Sequence, residues 1–119
     1  MNAADSGSPV AAPRIPFDGP QELRGPVMAA LGRVVDPELA LTIVDVGLVH
    51  GVTIAAGELR VRLTMTSAAC PVADTIMEDV RDELSRVLPL ALSISTELVW
   101  EPEWTPDRMS ERARKAMGW

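Results

Sequence analysis

Between Leu23 and Val34 the apolar positions Leu23, Val27, Ala30, Leu31 and Val34 recur at helical spacing. They predict a helix over roughly that span. Pro26 limits how far upstream it begins, because proline is tolerated only in a first turn. Asp36-Pro37 ends it, because a residue before proline is pushed out of the α region. A short apolar run follows, Ile43-Val44-Asp45-Val46-Gly47-Leu48-Val49, with one carboxylate inside it. The period then changes to two. Val52 and Ile54 alternate on one strand, Ala56-Gly57-Glu58 makes a turn, and Leu59, Val61, Leu63 and Met65 alternate with Arg60, Arg62, Thr64 and Thr66. A period of two puts the apolar set on one face and the arginines and threonines on the other.

Thr66-Ser67-Ala68-Ala69-Cys70-Pro71 is the turn into a second helix. Val72, Ile76, Val80, Leu84 and Val87 form its buried stripe, Asp74, Glu78, Asp79 and Asp82 face water, and Pro89 closes it. A third main strand alternates Leu92, Ile94, Leu98 and Trp100 with Ser93, Ser95, Glu97 and Val99. Trp100-Glu101-Pro102-Glu103-Trp104 leads to a last short helix from about Pro106 to Met117. Residues 1–19, rich in Ala, Ser, Gly and Pro, read as a flexible tail, which leaves 20–119 as one domain. The order is helix, two strands, helix, strand, helix. It predicts an α+β two-layer sandwich with the helices on one face of a small, mostly antiparallel sheet.

The composition, 47% hydrophobic and 24% charged over 119 residues, is that of one globular domain. A net charge of −6 argues against nucleic acid as a partner, since phosphate affinity comes mainly from Lys and Arg. Arg108, Arg112, Arg114 and Lys115 are interleaved with Asp107 and Glu111 and read as a solvated helix face. No apolar run approaches the ~18 residues of a membrane span, and no secretory leader is recognisable, so the expected place is the cytoplasm and no membrane is expected as a partner. One cysteine excludes an intrachain disulfide and a self-contained multi-cysteine zinc site. A lone thiol suits a reducing compartment.

Cys70 precedes Pro71, which is well placed as a first helical residue. The positive end of the helix and its unpaired N–H groups would stabilise a thiolate, the form that attacks or binds metal. Burial as a small hydrophobe is the competing reading. Thr66 and Ser67 could hydrogen-bond a ligand held on the same turn, or serve only the turn. Asp36, Glu38 and Asp45 could supply hard oxygen ligands or a base for Cys70. The plainer alternatives are an Asp-Pro turn for Asp36, a solvated Glu38, and a backbone cap for Asp45, although an ionised group in an apolar run needs a partner. His50, the sole histidine, has no motif around it that supports a catalytic role. Trp100 is expected in the core, with Trp104 left as an edge cover or a docking residue.

Three blocks taken together resemble a family. They are Val34-Val35-Asp36-Pro37-Glu38-Leu39 with Ile43 to Val49, Leu63 to Pro71 with its Cys-Pro at a helix start, and Trp100 to Trp104 followed by Met109-Ser110 and Ala113-Arg114. The chain from about Leu23 to Gly118 resembles the SufT/PaaD-like iron–sulfur (metal–sulfur) cluster assembly factors. The resemblance implies a two-layer α/β fold and a non-enzymatic role in iron–sulfur protein maturation, as an assembly, carrier or targeting factor. It implies that Cys70 is the key residue, with Asp36, Glu38 and Thr66 nearby, and that the partners are other assembly proteins and client apoproteins. Phenylacetate-branch relatives carry an extra cysteine-rich C-terminal part that this sequence lacks, and Glu103 stands where many relatives have a second proline. One cysteine cannot fill the four protein-ligand positions typical of a [2Fe–2S] centre. A cluster held here would be transient and share its ligands, for instance across a symmetric homodimer. A protein-binding adaptor without a metal, and an enzyme with a cysteine nucleophile, are the alternatives.

Overall fold

The computed structural model describes residues 15–66, 70–89 and 91–118, the side chain of Cys70 excepted. The hairpin forms where the period of two requires it, from β4 (Val49–Ala55) and β5 (Glu58–Leu63). Ala56 and Gly57 connect them with φ of 53° and 78°. Two consecutive positive φ values define the tight hairpin turn whose twist matches the strands. Val52 pairs with Val61 and Ile54 with Leu59, so one face is apolar, while Thr53 pairs with Arg60 on the other.

Helix α1 (Gln21–Leu31) and helix α3 (Ala73–Val87) pack on each other over the apolar face. Val27, Ala30 and Leu31 meet Ile76, Val80 and Leu84 in one core with Val52, Leu59, Val61 and Leu63. The opposite face stays open, with a shallow depression lined by Thr53, Ala55, Ala56, Glu58, Arg60 and Arg62. The α+β two-layer class therefore holds.

The strand directions differ from expectation. β6 (Ser93–Leu98) runs parallel to β5, and a short β1 (Phe17–Asp18) runs parallel to β4. The four-stranded sheet has the order β1-β4-β5-β6, and only its central hairpin is antiparallel. The reason lies in the connection: α3 carries the chain back between β5 and β6, and a helical crossover is what joins parallel neighbours. β1 falls in the stretch read as tail; residues 1–14 of that stretch lie outside the described residues. A separate small hairpin, β2 (Val35–Asp36) with β3 (Leu41–Thr42), leads into a one-turn helix α2 (Ile43–Val46).

Local details also shift. α1 begins at Gln21, upstream of the limit expected from Pro26, and holds that proline at its middle on an exposed side. Val87 is half exposed and Leu88 is buried in its place, because Leu88 turns extended ahead of Pro89. Pro71 is not the first residue of an α-helix: Cys70–Val72 is a 3-10 turn that runs into α3. The last helical region divides into a 3-10 turn (Pro106–Arg108) and α4 (Glu111–Met117), capped by the Ser110 hydroxyl accepting from Ala113 N–H at 3.1 Å.

Candidate functional site

Asp36 is fully buried in the β2–β3 turn. Its Oδ1 accepts from the Glu38 N–H at 2.9 Å and its carbonyl from Ala40 N–H at 2.8 Å, with Ala40 at φ 59°. Asp36 therefore builds the turn, as the plainer reading had it. Its Oδ2 is buried with no hydrogen-bond partner among the described residues. An unsatisfied buried acceptor costs on the order of 1–3 kcal/mol. Glu38 lies exposed on the same turn.

Backbone hydrogen bonds join this turn to the exit of β5. Ile43 N–H donates to Val34 O at 2.9 Å, Leu48 N–H to Ile43 O at 2.9 Å, and Thr64 N–H to Leu48 O at 2.8 Å. The chain then runs through buried Thr66 towards the turn at Cys70. Thr64 and Thr66 are both buried, so the polar face read for them ends with β5, where the chain passes beneath Leu48. The Asp36 turn is thus linked to the end of the sheet at which β5 exits, and the chain continues from there through Thr66 to Cys70. Ser67 lies outside the described residues.

Asp45 is engaged differently from the other acids. Its carboxylate accepts from Arg112 at 2.9 Å and from the Thr42 hydroxyl at 3.3 Å, while its N–H donates to Thr42 Oγ1 at 3.1 Å. Burial raises its pKa, but bonds from Ser110, Arg112 and Thr42 outweigh that and hold it below the usual carboxylate range. Among the described residues, no three His, Cys, Asp or Glu side chains gather as a metal-holding group.

The C-terminal segment is stitched to one short stretch of chain. Trp104 Nε1 donates to Val46 O at 2.8 Å, Arg108 donates to Gly47 O at 2.9 Å and Val49 O at 3.2 Å, and Ser110 N–H donates to Asp45 O at 2.8 Å. Gly47, at φ 85°, lies directly against the Arg108 backbone. The two tryptophans exchange their expected places: Trp104 packs on the core, and Trp100 is 56% exposed. The strand stops at Leu98, so the alternation that would have buried Trp100 no longer applies.

His50 is the extra residue at an irregularity between Val49 and Gly51. Its Nε2 is buried without a partner among the described residues, and burial, then Arg108 and Arg62, push its pKa down. Across Gly51 lies the Arg62 guanidinium, held by Thr53 Oγ1 at 2.9 Å, in space a Cβ would take.

Residues 25–95 match the model of a family described as iron–sulfur cluster assembly proteins. The chain belongs to that family. Over 99 residues it is 39% identical to the Fe-S protein maturation auxiliary factor YitW of Bacillus subtilis, covering 82% of this chain and 96% of that protein. It is 38% identical to the maturation auxiliary factor SufT of Staphylococcus aureus over 86 residues, covering 71% and 97%. A solved domain of unknown function, DUF59, from Bacillus anthracis superposes with a TM-score of 0.74 at 38% identity, covering 82% and 93%.

The family's matched span runs from α1 into β6 and includes Asp36, Thr66 and Cys70. The stitched segment from Trp104 onward lies beyond it. Sequence reasoning missed the part played by Arg108, which it placed on a solvated face. The left-handed requirement at Gly47 was the available signal.

Proposed function

We propose that this chain is a non-enzymatic maturation factor that assembles, carries or targets iron–sulfur clusters, with the Cys70 thiolate as its ligand to that cargo. The supporting observation is Asp36: a fully buried carboxylate with one oxygen lacking a donor among the described residues, on a turn linked to the end of the sheet where β5 leads on to Cys70. Asparagine would build the same turn through its side-chain oxygen. The second carboxylate oxygen is therefore available to accept from a donor or cation brought to the turn when cargo or a partner docks there. Thr66 and Ser67, which precede Cys70 in the sequence, would hydrogen-bond the cargo, and Glu38 offers a further oxygen from the exposed side of the turn. One cysteine leaves most cluster positions open. The remaining ligands come from a second copy or from the donor or client protein, which makes the binding transient.

Anaerobic reconstitution with iron and sulfide tests this, comparing wild type with Cys70→Ala and Asp36→Asn. Wild type should take up both elements and show charge-transfer absorbance. Cys70→Ala should lose that uptake, and Asp36→Asn should lower it while keeping the fold by circular dichroism. Equal uptake by all three proteins refutes the assignment of Cys70.

A further inference from the structure

Trp100 and Val35 are the two most exposed large apolar side chains among the described residues, at 56% and 47%. Both belong to the same end of the molecule. Val35 is in the Asp36 hairpin. Trp100 follows Val99, whose N–H donates to Leu63 O at 2.7 Å, beside the exit of β5. Four residues later Trp104 Nε1 bonds Val46 O at 2.8 Å. The loop between them is tied at both ends to backbone that flanks the candidate site. A side chain presented from such a loop loses little freedom when it is covered, and that preorganisation favours binding.

The loop is acidic. Glu101 and Glu103 are exposed, and neither has an ion-pair partner among the described residues. An exposed tryptophan is the residue type most enriched among binding hot spots, and uncompensated carboxylates beside it select a partner of opposite charge.

We propose that Trp100 anchors a partner protein whose surface offers an apolar pocket rimmed by Lys and Arg, and that Glu101 and Glu103 engage that rim. The partner so held faces the end of the sheet that leads to Cys70. This deepens the maturation-factor reading by giving the donor or client its contact, and it rests on that reading only for the partner's role.

The test places the photo-crosslinker p-benzoylphenylalanine at position 100 in cells, with the same crosslinker at Arg60 on the open sheet face as the control. The protein crosslinked from position 100 is identified, purified and titrated. Wild type should bind it more weakly at about 300 mM NaCl than at about 50 mM. Trp100→Ala should weaken binding by about tenfold or more. The double variant Glu101→Lys/Glu103→Lys should weaken it and flatten the salt dependence. Arg60→Ala, on the open sheet face, should bind as wild type does, and because the titration uses cluster-free proteins, failure of cluster carriage and failure of docking are read separately. The proposal is overturned if Trp100→Ala binds within about twofold of wild type, if both positions give the same crosslinks, or if the captured partner is a second copy of this chain.

Discussion

Replacing Gly47 by alanine should destabilise the protein far more than replacing Gly57, although both sit at positive φ, 85° and 78°. At Gly57 nothing lies within 4 Å of an added Cβ. Only the left-handed strain is then felt, about 1–2 kcal/mol. At Gly47 the same strain is joined by a collision with backbone. The new methyl would lie against the Arg108 carbonyl oxygen and 2.6 Å from its carbonyl carbon. That obstacle is not a flexible side-chain tip, so the Pro106–Arg108 turn must move away. Moving it breaks the Arg108 bonds to Gly47 O and Val49 O. Hydrogen bonds from a charged donor are worth about 1.5–3 kcal/mol each, and partial rebonding to water leaves roughly one such bond lost. The expected totals are about 3–5 kcal/mol for Gly47→Ala and about 1–2 kcal/mol for Gly57→Ala. Urea unfolding followed by far-ultraviolet circular dichroism measures both, with a common m-value as the check on two-state behaviour. Equal losses at the two positions would show that the contact between Gly47 and Arg108 does not constrain the fold.

Two predictions concern pH. Desolvation raises the Asp45 pKa, but Ser110, Arg112 and Thr42 bring it below its ordinary value. A depressed carboxylate contributes stability above its unfolded pKa of about 3.9, and that stability is lost as pH falls through the lowered folded value. Arg112 is 83% exposed, so Arg112→Ala should cost under about 1 kcal/mol at pH 7. The cost should shrink below about pH 4, measured as the difference in urea midpoint between wild type and variant; a difference that grows in acid contradicts it. His50 is pushed down by burial and then by Arg108 and Arg62. The folded state holds it neutral, so stability should be full above about pH 6.5 and decline as pH falls towards the lowered value. His50→Gln should remove that slope in the melting temperature, and a slope unchanged in the variant would assign it to other groups.

The layers of the fold were legible because each rests on a local period. The stripe Ile76, Val80, Leu84 and the alternation Leu59, Val61, Leu63 need no knowledge of neighbours, and all six side chains are fully buried. Strand direction was harder to read, because it depends on which strands meet. The signal was present in the helix that separates β5 from β6, but the three alternating runs predict a mostly antiparallel sheet when that connection is not weighed. Trp100 and Trp104 could not be told apart by hydrophobicity. Their fates depend on where β6 ends and on a carbonyl at Val46, 58 residues away from Trp104. The acidic turn was legible through Asp36-Pro37, whose local chemistry favours a turn. That Oδ2 is left without a donor depends on everything packed around it. Asp45 needed a partner, and its cation stands 67 residues away on α4.

The stitched C-terminal segment also bears on the order in which the molecule takes shape. Arg108 and Gly47 are 61 residues apart, and the loop they close contains β4, β5, α3 and β6. Closing so long a loop in an unstructured chain is entropically costly, and the cost falls once the intervening strands and helix are already packed. The hairpin and crossover form first in such a scheme, and the contacts of residues 104–112 with Asp45–Val49 come last. Those contacts support α2, the link between the Asp36 turn and the exit of β5. In that scheme the end of the sheet that leads to Cys70 is completed last.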